Sequence, residues 1–184
     1  MGFFDFFKNF NNNTNGYNLN TVFTHSNGKE MRRYMVEEVK PIKEMILNKF
    51  KDLRDRPLRS ANEYPVQLTE AQAVAVQKIA EHKRQGKFAL ANHEYIDLVK
   101  TGPISWALLS SWAKVLLCAT MLVEAMEILA FAQMILEKHG DTNPFSRSAH
   151  MLRVLMSQDW YQIRQLIIEN SGIPNFIPLE YEND

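Results

Sequence analysis

Apolar positions recur at helical spacing along most of the chain. Met31, Met35, Val39, Ile42, Ile46, Phe50 and Leu53 follow one another at steps of three or four, which places them on one stripe and predicts an amphipathic helix over 29–56. Pro41 falls inside the stripe, so the helix is expected to kink or restart there. Pro57 ends it, and 57–67 reads as a loop. Thr69 and Gln72 then have the spacing of a capping box, in which each residue's side chain satisfies the other's free backbone N–H. From here the pattern is helix, short break, helix. First helices are expected near 70–85 and 104–118, and second helices within 86–103 and 120–137. A looser unit over 144–174 would be capped by Ser146 or Asn143 and closed by Gly172 and Pro174.

The two second-helix blocks superimpose at a period of 34 residues, with Phe88 on Leu122, Ala91 on Ala125, Tyr95 on Leu129 and Leu98 on Ala132. Gly86 stands at a tight turn, Ala91 where two helices would cross closely, and Pro103 at a stop. These residues resemble the second helix of a tetratricopeptide repeat, whose paired helices have this period. The second unit departs from the pattern at Thr120 and Glu137, where Gly and Pro are usual, and the first helices depart at Lys78 and Ile79. The resemblance covers roughly 70–174 and implies an all-α, helix-pair repeat fold of two to three units with an N-terminal helical extension. The alternatives to it are a different helical bundle and, least favoured, a fold with a sheet.

The same resemblance implies that first helices line a groove. In register these positions are Ala73, Val76, Ala80 and Lys83, then Ala107, Ser110, Lys114 and Leu117, with Ser148 and Leu152 in the third unit. The groove would be mainly apolar with two lysines, without the Asn and paired basic residues that clamp acidic peptide ends. Its expected occupant is an apolar segment, either a partner's or the chain's own helix 29–56.

Composition narrows the function. The chain has 184 residues, 46% hydrophobic and 23% charged, as an ordinary globular protein has. Equal numbers of basic and acidic side chains argue against nucleic acid as partner. Residues 1–64 hold 11 basic and 8 acidic groups, and the remainder 10 and 13, so the neutral total conceals a basic front half and an acidic rear half. The chain divides into a Phe- and Asn-rich segment with a flexible linker (1–20), a charged amphipathic segment (21–64), the paired-helix domain (65–176) and an acidic tail (177–184). Asp5 and Lys8 break the N-terminal apolar run, so no secretory signal is expected, and Phe6 occupies the position where a myristoylation motif needs Ser or Thr. Phe3, Phe6, Phe7 and Phe10 would share one helical stripe, which either docks on the chain's own domain or touches a membrane surface. Lys114, Glu124 and Glu127 cut the apolar stretch 104–136 into pieces too short to span a bilayer. The expected location is cytoplasmic.

Catalytic chemistry finds little support. His93 and Glu94 open like a zinc-protease helix, but Asp97 stands where the second His is needed. Cys118 lies in an apolar run, Glu124 and Glu127 lack a His or Ser companion, and no phosphate-binding glycine motif occurs. The expectation is a non-catalytic protein-interaction module without a cofactor or metal. An all-α enzyme, a small-ligand-binding bundle and a membrane-surface protein are its rivals.

Overall fold

In the computed structural model the described residues are 17–180, and Phe3, Phe6, Phe7 and Phe10 lie outside them. Among the described residues there are seven α-helices and no strand: α1 (Gly28–Arg54), α2 (Glu70–Arg84), α3 (Phe88–Thr101), α4 (Trp106–Cys118), α5 (Leu122–Lys138), α6 (Arg147–Met156) and α7 (Trp160–Ser171). The all-α expectation holds.

α1 runs through Pro41 without a break. Pro41 is exposed, and so is Glu37, whose carbonyl loses its helical partner there, so water can satisfy it. The stripe Met31, Met35, Val39, Ile42, Ile46 and Leu53 is buried against α3 and α5. Lys43 pairs with Glu127 of α5 at 2.9 Å, and Phe50 meets Phe131 edge-on.

The remaining helices pack in consecutive pairs, α2 with α3, α4 with α5 and α6 with α7. The capping box at Thr69 forms as expected, with Gln72 N donating to Thr69 Oγ1 at 3.1 Å and Thr69 N to Gln72 Oε1 at 3.2 Å. Ser105, Ser146 and Asp159 cap α4, α6 and α7. The turns inside the first two pairs share one hydrogen-bond pattern. Gly86 N and Lys87 N donate to the carbonyls of Lys83 and His82, and Thr120 N and Met121 N donate to those of Leu117 and Leu116. Gly86 has φ +77° and Thr120 φ +60°, so Thr adopts a left-handed conformation that costs an L side chain energy. Buried Thr120 Oγ1 donates to Leu179 O at 3.0 Å, a bond glycine could not make. Gln158 is also left-handed in the turn of the third pair.

α4 is the centre of the molecule, with α2, α3, α5 and α7 as neighbours. Leu108, Leu109, Trp112, Ala113, Leu116, Leu117 and Cys118 have no exposed surface. This accounts for the apolar stretch: no helix among the described residues is long and apolar enough to cross a membrane. At one end, Phe23 packs against Phe88 and Phe176, and Phe23 N donates to Gly86 O at 2.7 Å. The structure packs earlier and later than the sequence boundaries suggest: Tyr17 stacks on Tyr34, and Pro178 and Leu179 are buried.

Candidate functional site

Lys83 and Lys114 both act electrostatically on buried Cys118, and Lys83 acts on Lys114. The first-helix face is covered, however, by the chain itself. α7 packs on α4, and Lys83 Nζ donates to the carbonyl of Asn170 near the end of α7 at 2.5 Å. Ser110 is 3% exposed and Leu117 0%, while Val76, Ala80, Lys83 and Lys114 are half-buried. Helix 29–56, one expected occupant, lies instead on α3 and α5. Burial lowers the pKa of Lys83, and burial with nearby Arg147 lowers that of Lys114 to about 8. Burial pushes the Cys118 thiol up to about 12, leaving it a poor nucleophile. The Ser110 hydroxyl is buried without a hydrogen-bond partner among the described residues.

His93 belongs to a polar chain that fastens α1. Trp112 Nε1 donates to Asn92 Oδ1 at 2.8 Å, Asn92 Nδ2 donates to Glu38 Oε2 at 3.1 Å, and the other Glu38 oxygen bonds His93 Nδ1. The Glu38 carboxylate raises the pKa of His93, with Asp97 adding to it. His82 pairs with Glu94 at 2.7 Å, and His139 bonds the carbonyl of Tyr64. Among the described residues no group of three His, Cys, Asp or Glu could hold a metal ion.

A solvent-open cleft of about 760 Å³ lies where α5 begins and α6 turns into α7. Leu122, Val123 and Met126 of α5 form one wall, and Leu155, Met156, Trp160 and Ile163 the other, with Gln158 as the one polar lining residue. Among the described residues no charged side chain lines it. Leu155 and Ile163 form a buried floor, whereas Val123 is 45% and Met156 65% exposed. The cleft was not read from the sequence, because its walls come from three helices and Val123 and Met156 lie off the repeat positions. The available signal was two large apolar residues left without a place in the packed stripes. Exposed apolar surface gathered in a concave site is the general mark of a binding surface.

No protein-family model, curated protein or solved structure matches the chain.

Proposed function

We propose that this protein is a non-catalytic interaction module built of tetratricopeptide-like helix pairs, and that it binds an apolar, helix-forming segment of a partner protein in the cleft between α5 and the α6–α7 turn. The observation that carries the reading is the cleft's lining of seven apolar residues and one neutral amide, open to solvent through Val123 and Met156. Such a surface gains by excluding water and offers nothing to a charged ligand. Met126 and Met156 add unbranched side chains that adjust to different partner shapes. The repeat reading is supported by the matching turns at Gly86 and Thr120 and by the buried small residues Ala91 and Ala125. The groove through Val76, Ala80, Lys83, Ser110, Lys114 and Leu117 would serve a partner only after α7 moved away.

A photo-crosslinking amino acid placed at Met156 tests the proposal in cells. It should give a discrete adduct that maps to an apolar segment of one partner, and Val123→Asp should abolish it. A background indistinguishable from that of the same crosslinker at exposed Lys78 would overturn the reading.

A further inference from the structure

A second cleft, of about 600 Å³, opens between the end of α1 and the turn joining α3 to α4. Its floor is apolar, with Val99, Ile104 and Tyr64 buried and Met45 half-buried. Its sides carry four cations, Lys49, Arg56, Arg59 and Lys100, and two carboxylates, Asp52 and Glu63. Both carboxylates are committed. Arg56 donates to Asp52 at 2.5 Å and to Glu63 at 2.5 Å, and its remaining donor capacity reaches the carbonyl of Pro57. The Glu63 carboxylate also accepts from Arg59 N at 2.7 Å.

Among the described residues the side chains of Lys49, Arg59 and Lys100 make no ion pair within 4 Å, although Lys49 and Arg59 are near enough to help hold Asp52, and Arg59 to help hold Glu63, below the ordinary carboxylate range. Lysines near helix ends often complement the terminal carbonyls. Here much of that duty is taken. Lys138 Nζ reaches from α5 to the carbonyls of Arg54 and Arg56 at 3.3 and 2.6 Å, closing the end of α1. In α3, Thr101 Oγ1 donates to Asp97 O and Gly102 N to Leu98 O. With four cations against two carboxylates, the hollow keeps a net charge of +2 over its apolar floor, which an anion would neutralise.

We propose that this cleft is a binding site for a small organic anion, with its apolar body on Met45, Val99 and Ile104 and its phosphate or carboxylate group between Lys49, Arg59 and Lys100. The site is distinct from the partner cleft and does not depend on it. The volume suits a small molecule. The cations would bind it in a salt-dependent way, because they lie at the surface.

Titration of the ¹⁵N-labelled full chain with phenyl phosphate, followed by amide NMR, tests the proposal. Saturable shifts should centre on Lys49, Gly102 and Ile104. Benzyl alcohol, which has a neutral head, should bind at least about tenfold more weakly, and so should inorganic phosphate, which has no apolar body. Benzoate in place of phenyl phosphate distinguishes a carboxylate ligand from a phosphate ligand. Lys49→Gln combined with Lys100→Gln should weaken phenyl phosphate about tenfold without changing the thermal midpoint. If that variant is destabilised, the exposed Arg59→Gln is the substitute, with a loss of about threefold expected. Shifts that spread evenly to Lys29 and Lys78, or affinity unchanged in a folded variant, would overturn the proposal.

Discussion

Lys83 and Asn170 meet across 87 residues of chain, the Lys83 ammonium donating to the Asn170 carbonyl at 2.5 Å. The contact joins the end of α2, the first helix of the first pair, to the end of the third pair. A cation at a helix C-terminus is well placed electrostatically. Here it is also desolvated, and Lys114 shares the desolvation with no such acceptor among the described residues. Both lysines have folded-state pKa values below the ordinary 10.5, so the unfolded chain holds more protons in the interval above the folded values. Their contribution to stability should therefore rise with pH between about 8 and 10.5. Lys114→Met should stabilise the protein by about 1 kcal/mol at neutral pH, after allowance for its partial exposure, and remove part of the rise. Urea midpoints of the two proteins at neutral pH and about pH 9.5 check this. A wild-type-to-variant difference that does not shrink on going alkaline would refute it.

His93 shows the opposite sign. Its pKa is raised by Glu38, so its bonus is fully present below the ordinary 6.5 and is lost as pH rises through the folded value. Glu38→Gln should cost about 1–3 kcal/mol below pH 6 and less above pH 8, because the substitution removes the charge-assisted bond to His93. Denaturant midpoints across that range report it, and hydrogen exchange in α1 should accelerate in the variant.

Gly86 is left-handed, and a Cβ there would lie 3.2 Å from Val22 Cγ1. Gly86→Ala should destabilise by about 1–2 kcal/mol, from backbone strain together with displacement of Val22 and Phe23. Thr120→Gly trades the same strain for the lost bond to Leu179 and should change stability by less than about 1 kcal/mol. Thermal midpoints of both variants test the contrast. Equal losses would mean that the two turns are not constrained alike.

Cys118 has no exposed surface, and its pKa is pushed up to about 12. Ellman's reagent should label it only through opening of the core, with a rate that follows global unfolding as denaturant is added. Full labelling within the mixing time in buffer would contradict the burial of α4.

Much of the fold was legible because its signals are local. The α1 stripe, the Thr69–Gln72 box and the Gly172 helix end all formed as read. Thr120 was read as a departure from the Gly86 pattern, yet it takes the same conformation. Its compensation comes from Leu179, far along the chain, which no local pattern reports. For the same reason the sequence could not report that α7 packs against α4 beside the residues expected to line a groove. Lys83 reaches the Asn170 carbonyl of α7, and α1 lies instead on α3 and α5. The two clefts escaped the sequence reading because each is assembled from segments whose register only tertiary packing sets.

The triangle of Phe23, Phe88 and Phe176, with ring centroids 5.3 to 5.7 Å apart, gives the molecule a mechanical character as well. It gathers the segment before α1 and the segment after α7 onto the first residue of α3. Tension applied at the two ends of the described chain would first load Tyr17 on Tyr34 and Leu179 on Thr120, and then this aromatic knot. The ends would therefore yield at these small contacts, with the knot opening before the helix cores behind it separate.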